Sequence, residues 1–294
     1  SLWYHFRLDP PAGAGLARAE LDFAARYRPD LLKVMHDIPY EMPSDLPSIE
    51  TPDDWPRLPV LDGAGGHFGQ QLEAVRMILD GRAEDYPVVV TVFGVGATAE
   101  KISNRRVFEH LHQGAERVEE GLEALTRSIC AYVHALVELG VDGIYLAVVG
   151  AAADTMAADS HRTYFAAREQ RVLDAASEAS LNVIHHHGVG IYPENVLPLR
   201  GYAIYSWSDR LAGNPSIKEM RLRTQACLMC GVNELTFGTA SPDEILAEAR
   251  DAMQQSGGRR FILAPGCAVP TPPACREDQL RSFERAVTLQ EGTC

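Results

Sequence analysis

Short β-branched and aliphatic runs alternate along this chain with longer stretches of helical periodicity, which predicts an α/β fold with a parallel sheet and crossover helices. Two further observations narrow the class. The chain has 294 residues, 46% of them hydrophobic, enough to bury one large core, and it contains neither an internal repeat nor a low-complexity linker. Residues 1–294 are therefore expected to form a single domain.

The first strand is expected at 31–37, an aliphatic run that closes on the polar pair His36-Asp37. A long excursion rich in Pro, Asp and Gly follows from about 39 to 67, and in a barrel it would overhang the strand ends where active sites form. An amphipathic segment at 70–80 reads as the first crossover helix, and the β-branched run 88–93 as the second strand. Helical periodicity over 114–139 leads to a third strand at 143–149, and over 164–179 to a fourth at 182–187. Strands at 203–207 and 226–231 come next. Ser241-Pro242-Asp243-Glu244 then opens a helix over 241–255, because Ser can cap and Pro fits a first turn. The last strand is expected at 261–264. Seven strands are counted, so the pattern alone leaves open both an eight-stranded barrel and an open α/β sheet.

Charge and composition bound the partners. With 27 basic and 40 acidic residues the formal charge is −13, which disfavours nucleic acid and anionic membranes and favours a small molecule or a protein as partner. No membrane span or export signal is visible, so the expected compartment is the cytoplasm. The six cysteines, scattered through a large core-forming chain, are expected to be reduced thiols.

The stretch Asn182-Val-Ile-His-His-His-Gly188 carries the most chemistry. A strand alternates faces, so His185 and His187 point to one side and His186 to the other, where it serves structure. Neutral imidazole ligates zinc and other late first-row divalent metals, and such a site needs a further donor. Cys267, after the run Phe261-Ile-Leu-Ala264 and the turn Pro265-Gly266, is the best donor in the sequence. The ordinary alternative is a pair of histidines bonded to neighbouring strands and a cysteine packed as a small apolar residue. The three together point to a metal. Asp37 at the end of the first strand offers a general acid or base or a further ligand, although capping the turn into Pro39 explains it as well. Tyr145 is the second candidate catalytic residue. His5, His36, Trp207 and Asp209 are candidate pocket residues, each with a plain packing or ion-pairing explanation beside it. Cys227 and Cys230 have redox spacing but sit on a strand, so core packing is expected. Gly94-Val-Gly96 does not complete a dinucleotide fingerprint.

Taken together, Asp30-Leu-Leu-Lys-Val-Met-His-Asp37, Tyr86-Pro-Val-Val-Val-Thr-Val-Phe93, Gly140-Val-Asp-Gly-Ile-Tyr-Leu146, Asn182 to Gly188 and Gly257-Gly-Arg-Arg-Phe-Ile-Leu-Ala-Pro-Gly-Cys267 resemble the uroporphyrinogen decarboxylase superfamily over nearly the whole chain. The resemblance implies a distorted (β/α)8 TIM-type barrel and suggests a homodimer. In the corrinoid methyltransferase branch a His-x-Cys-Gly motif and a later Cys hold zinc that activates a thiol, with a methylated corrinoid protein as donor. His185 matches that His, His187 stands at the first Cys, and Cys267 matches the second. The swap of one thiolate for imidazole makes such a site more positive. In the metal-free decarboxylase branch an Asp similar in position to Asp37 stabilises the substrate, but the arginine-rich N-terminal segment is represented only by Arg7, and the late His is replaced by Cys267. The resemblance therefore implies a zinc-dependent methyltransferase-like enzyme before a decarboxylase.

Overall fold

The computed structural model describes residues 1–288; Cys294 and the tail of the expected 1–294 domain lie outside the described residues. Seven strands pair in parallel and in sequence order: β1 (Leu32–Val34), β2 (Val88–Phe93), β3 (Gly143–Val148), β4 (Val183–His186), β5 (Ile204–Trp207), β6 (Cys227–Val232) and β7 (Phe261–Pro265). Such an order is what successive βα units produce, and the resulting sheet is curled. Its two edges are joined through the first residues. The Ser1 amine donates to Leu263 O in β7 at 2.9 Å, Ser1 Oγ donates to Leu31 O beside β1 at 2.9 Å, and Tyr4 makes an isolated parallel bridge with Val269. Among the described residues no eighth strand forms.

β1 is shorter than the expected 31–37 because side chains take over its ladder. Thr91 Oγ1 donates to Val34 O at 2.7 Å, and Met35 N donates to the buried Glu20 carboxylate at 2.7 Å. That loss of pairing frees residues 35–37 to splay away from the sheet.

The helices are α1 (Gly13–Tyr27), α2 (Gly66–Gly81), α3 (Val95–Ile102), α4 (Val107–Glu138), α5 (Ala158–His161), α6 (Ala167–Ala175), α7 (Pro193–Val196), α8 (Ile217–Arg221), α9 (Pro242–Ser256) and α10 (Glu277–Thr288). α4 begins before the expected 114 and breaks there, since Gly114 leaves helical geometry. A π-helical turn, Arg162–Ala166, joins α5 to α6. α9 starts as its sequence predicts: Ser241 caps the helix and Glu244 bonds back to Ser241 N at 2.7 Å.

The excursion after β1 is anchored rather than free. Its 3-10 turn Pro52–Arg57 places the fully buried Trp55 against α4, where the indole donates to His110 Nδ1 at 3.1 Å. Gly121 of α4 permits this approach, because a Cβ there would stand 2.7 Å from the indole and 2.8 Å from Trp55 O. Among the described residues no helix is long and apolar enough to cross a membrane.

Candidate metal centre

Inside the curl of the sheet lies a cavity of about 700 Å3 walled by Trp3, Lys33, Tyr145, His185, His187 and Cys267, among others. Alternation along β4 turns His185 inward and His186 outward, and one residue beyond the strand His187 turns inward again. Cys267 arrives from the other edge of the sheet through the turn at Pro265-Gly266. Only glycine fits that turn, since a Cβ on Gly266 would lie 2.5 Å from Ser208 Cα and 2.6 Å from a Glu234 oxygen. One imidazole nitrogen from each histidine and the Cys267 sulfur then lie within 4.8 Å of one another.

His185 is 2% exposed, and its two nitrogens differ. Nδ1 is held by Ser206 Oγ at 3.2 Å, and that hydroxyl meets Tyr145 OH at 3.2 Å. Nε2 is buried without any partner. A buried polar atom left unpaired costs about 1–3 kcal/mol, so a native fold retains one where a water, ion or ligand is to be bound. The ring also stacks on Tyr145, with centroids 5.3 Å apart and planes 26° from parallel. Burial, and then the neighbouring His187, Lys33 and His186, hold His185 well below the usual histidine range. It is thus neutral, the form that ligates metals. His187 is exposed where it opens onto the cavity, and the protein packed around its ring still lowers its basicity against the pull of Asp154 and Glu234. Burial pushes the Cys267 thiol up, offset in part by the Ala268 N–H and by Lys33.

Two imidazoles and one thiol, with one imidazole oriented from behind by a hydroxyl, fit a late first-row divalent ion such as zinc. Two neighbours that the sequence reading did not single out complete the surroundings. Lys33 is 4% exposed, with its ammonium 4.6 Å from the centre of the Tyr145 ring, 5.1 Å from that of Trp3 and 3.2 Å from Met35 Sδ. Burial lowers it to about 8. Its sequence signal was a single charge inside the aliphatic run Leu31-Leu-Lys-Val-Met35. Glu234 is buried beside Gly266; one oxygen accepts from Ser208 Oγ at 2.5 Å and the other has no partner.

The remaining candidates are spread out. Tyr145 and His5 line the cavity, but Asp37 does not; its carboxylate accepts from His5 Nδ1 at 2.6 Å. His36 faces a different cavity, between the sheet and α4. Trp207 and Asp209 also lie off the wall. Ser206 faces inward on β5, so Trp207 must face outward, where it is fully buried and donates to Pro215 O at 2.8 Å. Asp209 accepts from Gly231 N at 2.9 Å and pairs with Arg210 at 3.2 Å. Of the two cysteines expected to pack in the core, Cys230 is buried in the sheet, whereas Cys227 at the start of β6 is only partly buried.

Comparison with known proteins adds an independent line. The methylcobamide:CoM methyltransferase MtaA of Methanosarcina barkeri is 26% identical over 200 residues, which cover 67% of this chain and 57% of that protein. The methylcobamide:CoM methyltransferase MtbA of Methanosarcina acetivorans is 22% identical over 209 residues, covering 69% and 59%. The chain thus spans less than two thirds of the length of the curated relatives it matches. Among solved structures, a methyltransferase from Methanosarcina mazei superposes with a TM-score of 0.76 at 20% identity, over 94% of this chain and 85% of that one. A B12-independent methionine synthase from Shewanella sp. W3-18-1 gives 0.54 at 14% identity, over 75% and 67%. At these identities the structures speak for the fold alone. The family profile for uroporphyrinogen decarboxylase (URO-D) matches residues 31–288, most of the sequence, and the chain belongs to that family.

Proposed function

We propose that this chain is a metal-dependent methyltransferase-like enzyme in which His185, His187 and Cys267 hold zinc or another late first-row divalent ion. The observation that carries the reading is the convergence of these three donors within 4.8 Å, in a site where His185 also keeps one buried nitrogen, Nε2, without a partner. A bound ion would supply Lewis acidity, lowering the proton affinity of a nucleophile, best a thiol, delivered to the cavity. Ser206 fixes the His185 ring through Nδ1 and leaves Nε2 as the nitrogen that would hold such an ion. Tyr145 braces the same ring, Lys33 places a positive charge near the Cys267 sulfur, and Glu234 keeps a spare carboxylate oxygen beside it. The His5–Asp37 couple at the cavity edge takes the proton that the nucleophile loses.

The relatives named as methylcobamide:CoM methyltransferases support a methylated corrinoid, carried by a partner protein, as donor. In that reaction the new sulfur–carbon bond forms as the cobalt–carbon bond breaks, with its electron pair left on cobalt. We read residues 1–4 as the stave that closes the seven strands into a single barrel domain, with the cavity at its mouth. Metal-free decarboxylation through Asp37 is less well supported, because that carboxylate is engaged by His5 and is not part of the cavity wall.

The test is transfer of the methyl group from methylcobalamin to a panel of small thiols by metal-loaded protein. The expected result is methylated thiol formed by the wild-type chain and not by Cys267→Ala. No transfer to any thiol, with carbon dioxide released from uroporphyrinogen instead, would overturn the assignment.

A further inference from the structure

A second cavity, of about 490 Å3, lies on the other side of the β1–β2 ends, between α3, α4 and the start of the excursion, a volume within the range of small-molecule sites. It shares only Phe93 and Lys101 with the metal cavity. Its walls are unusually aromatic. Phe68 stacks on Tyr132 at 4.4 Å between centroids and 9° between planes, Tyr40 meets Phe68 edge-on at 5.9 Å, and His36 lies edge-on to Tyr132 at 5.6 Å.

Two polar groups in these walls, and one nitrogen of a third, have no hydrogen-bond partner among the described residues. The Tyr132 hydroxyl is buried and unpaired. Lys101 makes no hydrogen bond or ion pair; its ammonium sits 3.0 Å from the centre of the Phe93 ring. His36 is the third. Thr91 O can only accept, so His36 Nδ1 carries the proton in their 3.2 Å contact. Burial holds His36 at about 4, so the ring is neutral and Nε2 is left as an acceptor. Rings without and an acceptor within describe a ligand with an aromatic face and a hydroxyl donor.

We propose that this cavity binds a small phenol, its ring packed among Tyr40, Phe68 and Tyr132, its hydroxyl donating to His36 Nε2, and any anionic substituent turned toward Lys101. The site does not depend on the metal centre, so its fate and that of the metal reading can be separated.

The test is calorimetric titration of the purified chain with p-cresol, toluene and cyclohexanol, before and after treatment with a chelator. Saturable binding of p-cresol, unchanged by the chelator and about tenfold tighter than that of toluene, is expected, the factor being one lost hydrogen bond. His36→Leu should abolish the preference for p-cresol over toluene. Met42→Trp, which fills the cavity from the excursion, should abolish binding of both while the metal content stays unchanged, and it serves as the deciding variant should His36→Leu fail to fold. Absence of saturable p-cresol binding, a full hydroxyl preference in His36→Leu, binding intact in Met42→Trp, or cyclohexanol bound as tightly as p-cresol would overturn the proposal.

Discussion

His185 and His186 are adjacent residues of one strand, both buried, and their surroundings could hardly differ more. His186 faces the helices with both nitrogens engaged: Nε2 donates to Ala151 O at 2.7 Å, and Nδ1 accepts from Tyr205 OH at 2.6 Å. His185 faces the cavity with Nδ1 held by Ser206 and Nε2 left unpaired. Residue type and burial are thus shared, and what separates a packing histidine from a candidate ligand is one unsatisfied nitrogen next to other donors. That difference can be attacked by experiment.

The largest expected contrast is in metal affinity. Loss of a partner behind a ligand typically weakens binding by about 10–100-fold, so removing a ligand outright, in His185→Ala or Cys267→Ala, should weaken it by more than about a hundredfold. His186→Ala should leave it unchanged, as read by competition with a coloured chelator. Stability should show the reverse pattern. His186→Ala strips the partners from a buried carbonyl and a buried hydroxyl, and about 2–4 kcal/mol should be lost in urea unfolding of metal-free protein. His185→Ala relieves an unpaired nitrogen and should cost less than that. The third contrast concerns Ser206. Ser206→Ala removes the group that orients His185, and about a tenfold loss of metal affinity is expected with little change in stability.

The smallest effect is that of pH. Burial lowers His186 to about 3, below the unfolded histidine value, so the folded state binds fewer protons than the unfolded one. Its contribution is complete above about pH 6.5 and is lost as pH falls toward the folded value. Between about pH 7.5 and about pH 5.5 this residue alone should account for about 1.4 kcal/mol of lost stability. A His186→Asn variant measured in the same buffers should show a correspondingly shallower decline. An equal decline in both proteins would mean that other groups set the acid limit.

The same alternation rule explains how much of this was legible in the sequence. It separated His185 and His187 from His186 because it needs nothing beyond a strand. Applied to β5 it also turns Trp207 outward once Ser206 is known to face in, but the sequence does not fix the face of a four-residue strand whose residues are all buried. The three-residue β1 could not be foreseen from its aliphatic run, since Glu20 and Thr91 intercept its backbone from elsewhere in the fold. Asp37 read as a rim carboxylate for the same reason, and its partner His5 lies 32 residues away. Lys33 and Glu234 carry no motif; their burial against Tyr145 and Gly266 is purely tertiary. The sequence offers no eighth strand and none forms among the described residues, where residues 1–4 bond to the sheet edges at isolated points rather than through a ladder.

The most direct test is elemental analysis of the purified wild-type chain beside His187→Ala, Cys267→Ala and His186→Asn, each checked for folding by thermal unfolding. Close to one equivalent of a late first-row metal in the wild-type and His186→Asn proteins, and its loss from the other two, is the predicted result. A wild-type chain that takes up no metal from any candidate ion, or a Cys267→Ala protein that keeps it, would contradict the account.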